Sequence, residues 1–161
     1  MKEQNRSLTD IFLSIIPAVS VIIVDRLSKS FFSKILSYGE SIPVIRNIFH
    51  FTLVHNTGIA FGLFRDQGLV FVIIPIIAII LLVFNLYYFQ QNKEVLSQRY
   101  IVAFSLILGG AVGNLIDRIV YGYVIDFIDF RIWPVFNIAD SAITIGAVVI
   151  AIQCFKLKSH Q

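Results

Sequence analysis

Four long apolar segments divide the sequence and restrict the folds that the chain can adopt. They cover residues 11–24, 69–89, 100–116 and 141–155. The second exceeds the roughly 18 apolar residues that indicate a membrane-spanning helix. Charged residues make up 14% of the chain, whereas soluble domains contain about 25%. We therefore predict a mostly α-helical integral membrane protein, one domain over residues 1–161. Its four transmembrane helices are expected near residues 11–36, 69–89, 100–118 and 139–156.

The positions of lysine and arginine predict the orientation of these helices. Basic residues precede the first helix, separate the second from the third and follow the fourth: Lys2, Arg6, Lys93, Arg99, Lys156 and Lys158. Cytoplasmic loops are enriched in lysine and arginine, so both termini are expected in the cytoplasm. The extracytoplasmic face then holds residues 37–68 and a short turn at residues 121–138. Arg46 and Arg65 on that face run against the charge pattern.

The extracytoplasmic segment 37–68 is predicted to contain a small β-sheet. Residues 42–45 and 48–54 are rich in β-branched and aromatic side chains, and Arg46 and Asn47 separate the two runs. Such runs, bounded by turn-forming residues, are typical of strands. We expect this sheet to lie on the membrane surface.

Net charge and cysteine content exclude several other classes of protein. The formal charge of +3 arises from 13 basic and 10 acidic side chains, but the bases form no patch that would bind nucleic acid. The single cysteine, Cys154, excludes an internal disulfide. No cysteine and histidine residues have the spacing of a zinc site. We predict no zinc site and no nucleic-acid partner.

Polar side chains also lie inside the predicted helices. Asp25 and Lys29 are four residues apart and can pair on one side of the first helix. Asn114, Asp117 and Arg118 share one side of the third helix, next to glycines that allow close helix contact. We favour a polar clamp between helix ends for Asp117 and Arg118. Asn114 is equally suited to orient a substrate carbonyl group.

Asp126 and Asp140 flank the extracytoplasmic turn, and the spacing leaves two interpretations open. Asp126 can be a solvated interfacial charge while Asp140, or Asn137, caps the fourth helix. Alternatively the two carboxylates converge as an aspartic pair, in which one keeps a proton and the other activates water. The positive end of the fourth helix would favour ionised Asp140, which makes Asp126 the expected protonated partner.

Three other functions compete with an aspartic protease. A proton-coupled transporter would use the acids as relay groups, but the second helix contains no ionisable residue and the acids do not form a path across the bilayer. A membrane scaffold is the second alternative. Serine or cysteine protease chemistry is disfavoured because Cys154 is misplaced and no nucleophile-elbow motif is present.

Five motifs in order across the four apolar segments give the sequence a close resemblance to the lipoprotein signal peptidase family, also called signal peptidase II or prolipoprotein signal peptidase. The motifs cover nearly the whole chain and lie at residues 24–29, 56–62, 113–118, 124–127 and 136–141. The resemblance implies four transmembrane helices, an extracytoplasmic β-cradle and a membrane aspartic endopeptidase. Ile59 departs from the pattern, which usually has alanine there.

The resemblance also implies roles for particular residues. Asp126 and Asp140 match the catalytic pair. The residues that match the site lining are Asn56, Asn114, Arg118 and Asn137. The residues that match structural polar positions are Asp25, Lys29 and Asp117.

The implied substrate is a bacterial prolipoprotein whose lipobox cysteine carries diacylglycerol. Cleavage would occur on the N-terminal side of that cysteine, at the extracytoplasmic face of the cytoplasmic (inner) membrane. The expected partners are this substrate and membrane lipid, and the expected state is a monomer. The resemblance also implies no metal and no cofactor. The segment 56–62 and the β-cradle are expected to cover the bound peptide.

Overall fold

Three helices and three strands make up the ordered framework of the computed structural model. The helices are α1 (Leu8–Ile35), α2 (Gln98–Tyr121) and α3 (Ile138–Lys158). The strands are β1 (Ser41–Ile45), β2 (Phe49–Asn56) and β3 (Val124–Asp129). The structure describes residues 8–58, 72, 73, 75–77, 79, 80, 84 and 98–158. The described positions between 72 and 84 are helical, and the rest of the predicted second helix lies outside the described residues.

Length and composition distinguish the helices. Among the described residues, α2, at 24 residues, is the one helix both long and apolar enough to cross a membrane, and Ile138–Gln153 of α3 forms a shorter apolar helix. Helix α1 is long, at 28 residues, but carries Asp25, Arg26 and Lys29 in its second half. The set of four transmembrane helices therefore stays a prediction.

Helix α2 lies against both α1 and α3, and small residues make these contacts close. A methyl group added at Gly109 would lie 2.6 Å from the carbonyl oxygen of Ala18 in α1. One added at Gly110 would meet the carbonyl oxygen of Ala139 in α3. Glycine lets two helix backbones approach in this way, so the predicted role of these glycines in close helix contact is confirmed.

The strands form one antiparallel sheet in the order β1-β2-β3. The predicted small sheet is therefore present, and its first two strands lie in the predicted segment. The third strand corrects the predicted turn at residues 121–138, since residues 124–129 pair with β2, with Val54 opposite Asp126 and Asn56 opposite Val124. Four consecutive residues of β3, 124–127, are buried. Burial on both faces removes the alternation of polar and apolar residues that identifies a half-exposed strand.

An aromatic core joins the sheet to the end of α1. Its buried members are Phe32, Leu36, Leu53, Ile125 and Phe127. The rings of Phe32 and Phe127 stack with centroids 4.3 Å apart. Side chains alternate along a strand, so the side chain of Asp126, between Ile125 and Phe127, lies on the other face of the sheet.

Candidate active site

The carboxylate of Asp126 is held between β2 and the start of α3. Asp126 is 1% exposed. One carboxylate oxygen accepts a hydrogen bond from Nδ2 of Asn56 at 3.0 Å, and the other accepts one from Nδ2 of Asn137 at 2.7 Å. Two amide groups therefore fix this carboxylate. The predicted interpretation of Asp126 as a charge solvated in a turn is wrong.

Asn137 and Asp140 form a reciprocal cap at the first turn of α3. The Asn137 side-chain oxygen accepts a hydrogen bond from the Asp140 backbone N–H at 2.9 Å. The Asp140 carboxylate accepts one from the Asn137 backbone N–H at 3.2 Å. This is the capping-box arrangement, with asparagine at the cap and an acid three residues later. Both residues therefore cap the helix, and the same two residues also reach the Asp126 site.

Asn114 of α2 completes the connection between the two acids. Its Nδ2 donates to Asp140 at 2.7 Å. Its side-chain oxygen accepts hydrogen bonds from Asn137 Nδ2 at 3.1 Å and from Lys29 Nζ at 2.9 Å. Asp126 thus accepts a hydrogen bond from the Asn137 side chain and Asp140 accepts one from the Asn114 side chain, and the two asparagines are bonded to each other.

Burial and neighbouring charge set the proton affinity of Asp126. Burial, together with the nearby Asp140 carboxylate, raises the pKa of Asp126 from an ordinary 3.8 to about 7, although hydrogen bonds from Asn56 and Asn137 act in the opposite direction. At neutral pH the Asp126 carboxyl group is therefore available in both protonation states. Such a group can donate or accept a proton during catalysis.

Arg118 lies on the same side of α2 as Asn114. Its guanidinium donates to the backbone carbonyl oxygen of Asn114 at 3.3 Å. Its positive charge also acts on Asp140 and Asp126. Arg118 therefore places a cation beside the two acids.

A buried ion cluster lies next to this network. Lys29 Nζ is 2.7 Å from Asp25 and 2.8 Å from Asp117, and all three side chains are 0% exposed. Asp25 also accepts the backbone N–H of Ala139 at 3.0 Å, and Asp117 accepts that of Ile125 at 3.1 Å. The cluster thus ties α1 and α2 to the two segments that carry the acids. The pairing of Asp25 with Lys29 confirms the four-residue spacing argument.

Arg26 takes part in this cluster, although the sequence analysis assigned it no role. Its guanidinium pairs with Asp117 and donates to the Tyr121 hydroxyl at 3.3 Å. The available signal was the group of three charged residues, Asp25, Arg26 and Lys29, directly after the apolar segment 11–24, which calls for a partner elsewhere,.

The nine predicted site and structural residues all lie in this connected region. Asn56 closes a local turn, because its side-chain oxygen accepts the backbone N–H of Gly58 at 3.0 Å. Ile59 and the remainder of the segment 59–62 lie outside the described residues. Within the part of the chain that the structure describes, no three acidic, histidine or cysteine side chains are grouped as a metal site requires.

The chain is similar to known proteins over most of its length. The family described as "Signal peptidase (SPase) II" matches residues 17–156. The lipoprotein signal peptidase of Halothermothrix orenii is 42% identical over 136 residues, which is 84% of this chain and 90% of that protein. The lipoprotein signal peptidase of Clostridium tetani is 42% identical over 154 residues, which is 92% of this chain and 96% of that protein.

Two solved structures are similar over the full fold. One, described as "Bacterial membrane enzyme structure by the in meso method at 2.3 A resolution", is 36% identical with a TM-score of 0.83, and covers 100% of this chain and 96% of its own. A second, described in the same words at 1.9 A resolution, is 37% identical with a TM-score of 0.77, and covers 97% of this chain and 98% of its own. The chain belongs to the signal peptidase II family of lipoprotein signal peptidases.

Proposed function

We propose that this protein is a membrane aspartic endopeptidase that removes signal peptides from diacylglyceryl-modified prolipoproteins. Cleavage occurs on the N-terminal side of the lipidated cysteine. The observation that carries the proposal is the convergence of Asp126 and Asp140 on the Asn114 and Asn137 amides, with the pKa of Asp126 raised to about 7. Two coupled carboxyl groups with one shared proton are suited to hydrolysis by activated water.

The two acids take different roles at the start of the reaction. Asp140 accepts hydrogen bonds from Asn114 and from the Asn137 backbone at the positive end of α3,, and we assign it as the base that removes a proton from water. The resulting hydroxide adds to the scissile carbonyl carbon. Protonated Asp126 donates to the carbonyl oxygen, which gives a neutral gem-diol. As the C–N bond breaks, the proton held by Asp140 passes to the leaving amine and a gem-diol hydroxyl returns a proton to Asp126. The roles exchange through the cycle.

The amides and the nearby cation prepare the site for this chemistry. Asn56 and Asn137 hold the two oxygens of Asp126, and Arg118 acts electrostatically on both acids. Groups that are fixed before the substrate arrives stabilise developing charge without reorganisation during the reaction. Asp25, Lys29 and Asp117 position these elements and take no part in proton transfer.

The membrane explains why the acids lie at the end of an apolar helix bundle. Four transmembrane helices, with both termini in the cytoplasm, put β3 and the start of α3 at the extracytoplasmic face of the bacterial cytoplasmic membrane. The diacylglycerol chains of the substrate stay in the bilayer while the scissile bond reaches the interface. The protein acts as a monomer without a metal or cofactor.

The test is cleavage of a diacylglyceryl-modified prolipoprotein peptide by purified protein in detergent. Asp126→Asn and Asp140→Asn are each expected to lower the turnover rate at least about 100-fold, since each removes an acid-base group. Asp129→Asn is the matched control: Asp129 lies on β3, but its carboxylate binds Thr52 and Arg131, so cleavage should be retained. Circular dichroism checks the folding of each variant. Cleavage near the wild-type rate by both well-folded pair variants would reject the aspartic mechanism.

A further inference from the structure

A second cleft lies on the face of the sheet opposite Asp126. It has a volume of about 500 Å³ and opens between α1, the end of α2 and strands β2 and β3. This volume is within the range of ligand sites, roughly 300–1,000 Å³. Its polar lining includes Arg26, Ser30, Ser33, Lys34, Tyr121 and Tyr123. The cleft is separate from the site proposed for peptide cleavage.

One wall of the cleft is a column of aromatic rings. The ring of Tyr38 lies 4.8 Å from that of His55, His55 lies 4.0 Å from Tyr123, and Tyr123 lies 5.9 Å from Tyr121. Arg26 lies 5.7 Å from the centre of the Tyr121 ring. Burial lowers the pKa of His55, which favours its uncharged form. The wall is amphipathic, like the tyrosine-rich belts at membrane interfaces.

The opposite wall carries one cation that is not neutralised within the described structure. Arg26 is paired with Asp117, whereas no ion pair of Lys34 occurs among residues 8–58 and 98–158. Lys34 is exposed in the last turn of α1. Ser30 and Ser33 are also exposed and line the cleft with Lys34, and Ser30 lies one helical turn before both of them,. An ammonium group beside two hydroxyl groups is suited to a phosphate.

Apolar side chains beside the cleft are suited to acyl chains. Leu27 is 66% exposed and Phe31 is 57% exposed on α1, and Ile119 and Val120 are 64% and 60% exposed near the end of α2. In a membrane protein such a surface faces lipid tails. Ser30, Ser33 and Lys34 place hydroxyl groups and an ammonium group on the same helix as Leu27 and Phe31.

We propose that this cleft binds an anionic phospholipid of the surrounding membrane. The phosphate lies beside Lys34 and the Ser30 and Ser33 hydroxyls, the remainder of the headgroup contacts the tyrosine wall, and the acyl chains follow the apolar side chains of α1 and α2. A lipid fits better than a free phosphate ion because the exposed apolar side chains lie on the same two helices as the polar lining. The bound lipid would link α1 to the sheet from the side opposite the two acids.

The experiment is native mass spectrometry of the full chain in detergent, with added phosphatidylglycerol, phosphatidylcholine or soluble glycerol phosphate. Wild type is expected to retain phosphatidylglycerol in preference to phosphatidylcholine and to bind no glycerol phosphate. Lys34→Gln should weaken phosphatidylglycerol retention about fivefold, the effect of one lysine near an anionic surface, and Lys34→Glu should weaken it further. Arg46→Gln is the matched control, because it removes an exposed cation from the β1–β2 turn, outside the cleft.

Each other outcome overturns the proposal. Equal retention of the two lipids would remove the charge preference, and an equal loss in Arg46→Gln would indicate general attraction to the protein surface. Binding of glycerol phosphate without lipid would make the cleft a site for a soluble anion. Unchanged retention in both folded Lys34 variants would remove this residue from the site. Peptide cleavage by Lys34→Gln should match wild type, which makes this test independent of the proposed function.

Discussion

Replacement of Lys29 by methionine is expected to destabilise the protein by about 3–5 kcal/mol, the cost of removing one partner from a buried ion pair. The ammonium group is shared by Asp25 and Asp117, and all three side chains are 0% exposed. Without Lys29, Asp117 keeps its pairing with Arg26. Of the contacts of the Asp25 carboxylate described above, only the hydrogen bond from the Ala139 backbone N–H remains. Most of the cost therefore arises from Asp25.

The double variant Lys29→Met/Asp25→Asn separates loss of packing from loss of charge compensation. It removes the carboxylate that the single variant leaves buried without a cation. Replacing a buried ion pair with uncharged residues of similar volume often changes the stability little. We expect it to recover at least about 2 kcal/mol relative to Lys29→Met, which corresponds to a strong coupling in a double-mutant cycle. Asp25→Asn alone leaves Lys29 paired with Asp117 and completes the cycle.

The assay is equilibrium unfolding of the purified protein in detergent, followed by circular dichroism. A Lys29→Met variant that loses less than about 1 kcal/mol would contradict the argument that the cluster is buried and interdependent. Additive effects of Lys29→Met and Asp25→Asn would also contradict it, since independent residues show no coupling.

Two further predictions concern the acids. Asn137→Ser keeps a capping hydroxyl, so it should cost about 1 kcal/mol less folding stability than Asn137→Ala. It loses the amide donor that lowers the pKa of Asp126, so the alkaline limb of the pH profile of peptide cleavage should move to higher pH. An unmoved limb would contradict the role of the amide. Because the pKa of Asp126 rises from 3.8 to about 7 on folding, the folded protein binds more protons than the unfolded one between these values, and its free energy of unfolding should fall as pH rises from 4 to 7. Thermal unfolding of Asp126→Asn should lack this component, and an unchanged pH dependence would refute the assignment.

The sequence predicts those parts of the fold that depend on nearby residues. Apolar segments locate the helices, β-branched runs locate β1 and β2, and the Asp25–Lys29 pair follows from helical spacing. Asn137 and Asp140 also have the three-residue spacing of a capping box. The sequence leaves them as alternative caps, whereas in the structure both residues cap the helix together.

Contacts between distant segments account for the features that the sequence analysis missed. Arg26 and Asp117 are 91 residues apart, and no local pattern brings their side chains together. The partner strand of β3 lies some 70 residues earlier, as the bond between Asn56 and Asp126 illustrates. Only the assembled sheet shows that Asp126 lies in a strand and that its carboxylate is buried.

The unequal charges of α1 have a consequence for the order in which the chain is assembled in the membrane. Asp25 can be neutralised within the helix by Lys29, but Arg26 depends on Asp117 of α2. A guanidinium that is partly removed from water is costly unless an acid compensates its charge. Arg26 therefore reaches its compensated state only after α2, whose Asp117 lies 91 residues later, has been synthesised and has packed against α1. The later half of the chain thus supplies the charge that the earlier half needs in the assembled fold.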